Sequence, residues 1–198
     1  MSQPATTRTR HHELRRAAVK LFREKCYHAT SMQDLAEAME LNRGSLYHYI
    51  DSKEDLLWEV MTGVMAELNA SLAPIEASNA PPAQCLRDAV AAHLRVAAER
   101  PDEMTVLQVE LKSLSPARRK KIIAARDAYE ARWRKILDAG AATGAFNGTE
   151  PKYAGMAILA TCNWFTQWYR PGGPLTPDQL SEVFAGFFLN GLGQRGRR

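Results

Sequence analysis

The stretch LNRGSLYHYIDSKEDLL, residues 41–57, brings Arg43, Gly44, Ser45, Tyr47, His48 and Tyr49 together on one short segment. Arginine offers a fork of donors that fits the edge of guanine, and tyrosine or histidine can donate to a phosphate or pack on a thymine methyl. Glycine and serine are small, so a helix beginning there can lie close to base edges and phosphates. Lys53 opens the next helix and adds a cation, with first-turn backbone N–H groups, beside a phosphate. Ser31, opening an earlier helix, can serve a second phosphate. The chemistry these residues share is contact with duplex DNA. Each also has a plainer use: Tyr47 and Tyr49 as core aromatics, His48 as an exposed bystander, Arg43 as a surface partner of Asp51 or Glu40, which contributes little.

Other chemistries find less material. No Ser/His/Asp set, phosphate-binding loop or paired metal-ligand spacing stands out, so no catalytic residue, no metal site and no cofactor is expected. His11 and His12 sit in a basic N-terminal stretch, His28 in a loop, and His93 on an amphipathic helix, as a core residue or a pocket hydrogen-bonder. Cys26, Cys85 and Cys162 are odd in number and widely spaced, and are expected to be reduced and mostly buried. Of 198 residues, 45% are hydrophobic and 24% charged, the balance of an ordinary globular chain. No apolar run approaches the roughly 18 residues of a membrane span. The N-terminus lacks the apolar stretch of a secretory signal, so a cytoplasmic location and no membrane partner are expected. The net charge of +4 is concentrated: Arg8, Arg10, Arg15, Arg16, Lys20, Arg23 and Lys25 face only Glu13 and Glu24. That suits a polyanionic partner, or a solvated helix face.

The elements that must position these residues read as helices throughout, an all-α chain. Leu14, Ala17, Ala18, Leu21 and Phe22 recur at helical spacing over 9–25. Ser31 caps a short helix with Asp34 three residues on, a weaker capping box, and buries Leu35, Ala36 and Met39. Asn42 caps a helix predicted over 43–49, with Leu46 and Ile50 turned inward. The short connection MELN between these two helices fits a helix-turn-helix, whose second helix enters the major groove. A long helix runs from 52 to about 72, ended by APIEASNAPPAQ. Further helices are predicted near 82–98, 102–113, 116–140, 150–169 and 177–192, the last opened by a Thr176–Gln179 capping box. Residues 1–53 are expected to form the DNA-binding domain and 54–198 a second helical domain. AGMAILATCNWFTQWY and VFAGFFLNGL carry more apolar bulk than one core absorbs, which a subunit interface would accommodate.

The segment SMQDLAEAMELNRGSLYHYIDSKEDLL resembles the DNA-binding segment of the TetR family of bacterial transcriptional regulators from about residue 10 to 60. Ser31, Leu35, Ala36, Gly44, Ser45, Leu46, Tyr47, His48, Lys53, Glu54 and Leu56 fall on the family pattern. Glu40 stands where the turn normally carries glycine, and Ile50 where phenylalanine is usual. The resemblance implies about nine helices and a two-fold homodimer built from the last two long helices. It also implies a ligand cavity in the C-terminal domain, and a roughly palindromic double-stranded operator.

The C-terminal stretch NWFTQWYRPGGPLTPDQLSEVFAGFFLNGL looks like the end of a subgroup that includes regulators of fatty-acid and steroid breakdown, some of which respond to acyl-CoA thioesters. On the residues themselves, Asn163, Trp164, Gln167, Trp168 and Arg170 place aromatic and hydrogen-bonding groups at spacings of three and four. An acyl chain needs an apolar tunnel and a CoA moiety needs cations at its mouth, a role for Arg170 with Arg118, Arg119, Lys120 and Lys121 as helpers. The tryptophans equally suit an interface, and the basic run equally suits a solvated helix start. The expected function is a ligand-responsive transcriptional regulator, a repressor. The alternative is a DNA-organising or partner-recruiting protein with no small-molecule ligand, and a filled core would favour it.

Overall fold

The structure, a computed structural model, describes residues 5–146 and 150–192, with side chains from residue 9 onward. Arg8, counted above in the basic run, has its side chain outside the described residues. Nine α-helices and one 3-10 turn account for the described architecture, and no strand occurs among the described residues. The helices are α1 (Ala5–Lys25), α2 (Met32–Ala38), α3 (Arg43–Leu46), α4 (Lys53–Glu76), α5 (Pro82–Glu99), α6 (Pro101–Val109), α7 (Pro116–Ala142), α8 (Pro151–Trp168) and α9 (Pro177–Leu192).

The chain forms two compact units. The first comprises Met1–Val64 with Asp102–Ile123, and the second Met65–Pro101 with Ala124–Arg198. A cut at 53/54 falls on the first turn of α4, whereas the first unit keeps that helix as far as Val64. It also takes in most of α6, the 3-10 turn Leu111–Ser113 and the start of α7.

In the first unit α1 packs on α2 and α2 on α3. Leu14, Ala18, Phe22, Leu35, Ala36, Leu46, Ile50, Leu56 and Leu57 are buried. The cap of α2 is a full box: Asp34 N–H donates to Ser31 Oγ (3.1 Å) and Ser31 N–H to Asp34 Oδ2 (2.7 Å). Lys25 also binds this carboxylate at 2.7 Å, and these hydrogen bonds hold Asp34 well below the usual carboxylate range. At its other end α2 closes in a Schellman motif: Leu41 N–H reaches Ala36 O (2.9 Å), Glu40 N–H reaches Glu37 O (3.0 Å), and Glu40 sits at φ 53°. The glycine that a left-handed residue favours is absent, and Glu40 adopts the conformation at a cost of about 1 kcal/mol. Cys26 does likewise after α1, at φ 66°, and lies exposed rather than in the core, while Cys85 and Cys162 are buried.

In the second unit α5 lies against both α8 and α9. Leu86, Ala89, Val90, Leu94, Trp133, Ile136, Leu137, Ile158, Cys162 and Phe165 are among its buried residues. The α9 cap is the reciprocal Thr176–Gln179 box, with bonds of 2.9 and 3.2 Å. Helix α4 runs through Pro74 to Glu76, beyond the end read at 72. A proline so near the C-terminus removes one backbone bond without stopping the helix.

Candidate nucleic-acid interface

Helix α3 is a single turn, shorter than the 43–49 expected. Asn42 Oδ1 accepts the Ser45 N–H at 2.7 Å and fixes its start. Beyond Leu46 the backbone tightens: His48 N–H bonds Ser45 O (3.2 Å) and Tyr49 N–H bonds Leu46 O (2.9 Å). The 3-10-like bonds keep the turn winding through Tyr49, so Leu46 and Ile50 still point inward. The opposite side is open. Arg43, Gly44 and His48 are exposed, Tyr47 retains 45% of its surface, and Ser45 and Tyr49 are half-buried. Arg43 pairs with no carboxylate among the described residues, so neither Glu40 nor Asp51 claims it.

Gly44 is informative because nothing in the chain requires it. Its φ lies outside the left-handed region, and an added Cβ would meet only Asn42 Oδ1, at 3.4 Å. Glycine in a helix costs up to about 1 kcal/mol relative to alanine.

Lys53 departs from the expectation. Its ammonium donates to Tyr27 O (2.9 Å) and Thr30 O (2.6 Å) and lies 4.4 Å from the Tyr27 ring centre. The cation is engaged in tying α4 to the segment between α1 and α2, and is not presented to a phosphate. Within the first turn of α4 the Asp55 N–H is itself capped by Ser52 Oγ at 3.3 Å. Ser31, similarly, has its hydroxyl on Asp34 at 2.6 Å.

Beside the reading turn lies an open groove of about 510 Å³ lined by His11, Tyr47, His48, Tyr49, Ile50, Asp51, Asp55, Trp58 and Glu59. His11 Nε2 stands 3.3 Å from Glu59, a pairing no local pattern in the sequence signals. Across the same unit Glu110 is buried and accepts the Tyr27 N–H (2.9 Å) and the Ser113 hydroxyl (2.7 Å). Arg118 binds Asp55 and Glu54, and the Ser115 N–H reaches Glu54 at 3.0 Å.

The five residues read as a ligand lining do not converge. Trp164 (66% exposed), Gln167, Trp168 and Arg170 face outward, and among the described residues Arg170 bonds the Tyr169 and Gln167 carbonyls. The same helical period that makes a lining also makes an outer stripe, and here the inner face belongs to Ile158, Cys162 and Phe165. Asn163 alone turns toward the interior, where its side chain interacts with His93. His93 is buried, binds the Tyr129 hydroxyl at 2.9 Å, and is pushed down to about 4 by burial, against the Asn163 contact. Elsewhere in this unit an open cavity of about 340 Å³ has a mixed lining: Ile75, Pro82, Cys85, Ile136 and Ala139 together with Ser78, Glu76 and Lys135, the last two bound to each other.

Residues 14–60 match the model for bacterial regulatory proteins of the tetR family, and residues 79–192 that for a tetracyclin repressor-like C-terminal domain. The chain belongs to the TetR family. It is a DNA-binding transcriptional regulator with a second, ligand-binding domain. This TetR-family chain is 29% identical to the HTH-type transcriptional repressor KstR2 of Rhodococcus jostii (strain RHA1), over 91% of the chain and 89% of the relative. Among solved structures, the TetR-family regulator PfmR of Thermus thermophilus is 36% identical, with TM-score 0.82, covering 91% of this chain and 99% of that one. The ketosteroid transcriptional regulator KstR2 of Mycobacterium tuberculosis is 28% identical, with TM-score 0.87, covering 94% and 96%. Both likenesses run through the head and the C-terminal domain together. No helix among the described residues is long and apolar enough to cross a membrane.

Proposed function

We propose that this regulator is a cytoplasmic repressor, without catalytic activity, that binds a roughly palindromic operator as a homodimer and is released by a hydrophobic small-molecule effector of the acyl-CoA thioester class. Residues 1–53 form the reading head, with Arg43, Gly44, Ser45, Tyr47 and His48 on the DNA and Ser31, Tyr49 and the first turn of α4 at its edges. Residues 54–198 hold the effector and the partner subunit. The observation that carries the reading is the open, unpaired face around Gly44, a position the chain's own packing leaves unexplained.

The dimer reading is supported by the outer stripe of α8, where Tyr153, Met156, Trp164 and Trp168 are exposed, and by Val183 and Phe187 on α9. Phe187 keeps 75% of its surface, a placement that a second subunit would relieve. Two-fold symmetry then sets two reading turns about one DNA turn apart. The effector class is supported by the relative described as a ketosteroid regulator and by the likeness of the α8–α9 sequence to regulators of fatty-acid and steroid breakdown. Release follows if the effector binds more tightly to a state whose two heads no longer fit the operator spacing. The test is operator binding by fluorescence anisotropy on a duplex selected by the protein from a random pool, titrated with acyl-CoA thioesters from isovaleryl-CoA to long-chain and steroid-derived esters. Release by one class at a concentration where free CoA does nothing is expected. Unchanged binding throughout, with a monomer by native mass spectrometry, would refute the reading.

A further inference from the structure

The basic run Arg118-Arg119-Lys120-Lys121 opens α7, and the start of α7 belongs to the same compact unit as the reading head. Its first turn is fastened to the first turn of α4. The Ser115 N–H donates to Glu54 Oε1 (3.0 Å), and Arg118 binds Glu54 and Asp55. Arg118 and Lys121 each lie 5.8 Å from the Trp58 ring centre. Trp58 is a wall of the 510 Å³ groove whose other walls include Tyr47, His48 and Tyr49. Lys121 therefore lies over the ring of a residue that also walls the groove shared with Tyr47, His48 and Tyr49.

The charges around this edge differ in how they are balanced. The groove carries Asp51, Asp55 and Glu59; Asp55 is paired with Arg118, and His11 Nε2 lies 3.3 Å from Glu59, an ion pair only when the imidazole is protonated. Arg119, Lys120 and Lys121 pair with no carboxylate among the described residues, and both lysines are exposed. Arg118 is paired with Glu54 and Asp55, and three cations remain on a helix start fastened to the first turn of α4.

We propose that Lys120 and Lys121, with Arg119, form an auxiliary contact to the phosphate backbone of the bound duplex, extending the footprint beyond the helix-turn-helix. The inference rests on the reading that the Arg43–His48 face meets DNA. It assigns these cations to nucleic acid in place of a CoA mouth. Phosphate contacts position a protein and carry no sequence preference, so the contribution is equal on every duplex.

The test compares the intact protein, the double variant Lys120→Ala/Lys121→Ala, and Lys152→Ala, an exposed lysine at the start of α8 in the other unit that serves as a charge control. Binding is measured against salt concentration on a selected duplex and on a random-sequence duplex, with thermal melting as the check on folding. The double variant is expected to lower the slope of log affinity against log salt by about 1–2 units on both duplexes. Lys152→Ala is expected to leave that slope unchanged. An unchanged slope in the double variant, or an equal fall in Lys152→Ala, would overturn the proposal. So would a shift in the acyl-CoA concentration needed for release at constant slope, which would return the run to the effector. If the intact protein binds neither duplex, the head itself has been misread; normal binding with an unaffected double variant sinks the auxiliary contact alone.

Discussion

Replacing Gly44 by alanine separates what the fold needs from what the DNA needs. The residue is exposed, and the added methyl would meet only Asn42 Oδ1, at 3.4 Å. Alanine is favoured over glycine by up to about 1 kcal/mol inside a helix, and it also narrows the unfolded ensemble. Gly44 is the second residue of a one-turn helix, so the lower half of that range applies, about 0.5 kcal/mol. For a chain of this size that raises the melting temperature by roughly 1–2 °C. On the proposed reading, the same methyl stands where a base edge approaches. Stretching one bidentate contact costs about 1–3 kcal/mol, a fall in operator affinity of roughly 5- to 150-fold. The expected pattern is a protein slightly more stable in a melting scan and much weaker in operator anisotropy. A stability gain with operator affinity intact would refute the reasoning, because the DNA would then not approach Gly44.

Lys53→Met removes two hydrogen bonds from a charged donor to the Tyr27 and Thr30 carbonyls. It is expected to destabilise the first unit by about 2–3 kcal/mol while changing the salt slope of DNA binding by less than one unit; a full unit lost without destabilisation would return Lys53 to a phosphate. His93 binds its proton less readily when folded, at about 4 against an ordinary histidine value of 6.5. The unfolded chain therefore takes up more protons as pH falls, and stability on the order of 3 kcal/mol should be lost between pH 6.5 and 4. His93→Gln should flatten that part of the stability–pH curve, and an unaltered curve would count against the assignment. Phe187→Glu puts a charge on the most exposed large apolar side chain of α9 and should shift the protein to monomer by native mass spectrometry, with operator affinity falling in step. A dimer that survives would move the interface elsewhere.

The helices were legible because each carries its own start signal next to an apolar period: Ser31 with Asp34, Asn42, and Thr176 with Gln179 all form the caps their spacing announces. The family was legible for the same reason, since the reading turn is local in sequence. What escaped was non-local. Lys53 finds its partners in backbone carbonyls more than twenty residues away, and a backbone carbonyl leaves no mark in a sequence. The buried carboxylate of Glu110, bound to the Tyr27 N–H, joins the α6–α7 connection to the head, and its sequence neighbours give no hint of it. On α8 the period of Trp164 and Trp168 shows that they share a face, but not whether that face looks inward. Burial of Cys162 and Phe165 settles it as the outer one.

Arg43 gives the most direct test, through its discrimination among single base pairs. Operator binding of the intact protein and of Arg43→Ala would be measured across a duplex series carrying every single substitution in one half-site. Loss of discrimination confined to one position, by about 1–3 kcal/mol, is the predicted outcome for a guanidinium fork on a base edge. Equal weakening at every position, or no weakening at all, would contradict the claim that this exposed face reads DNA.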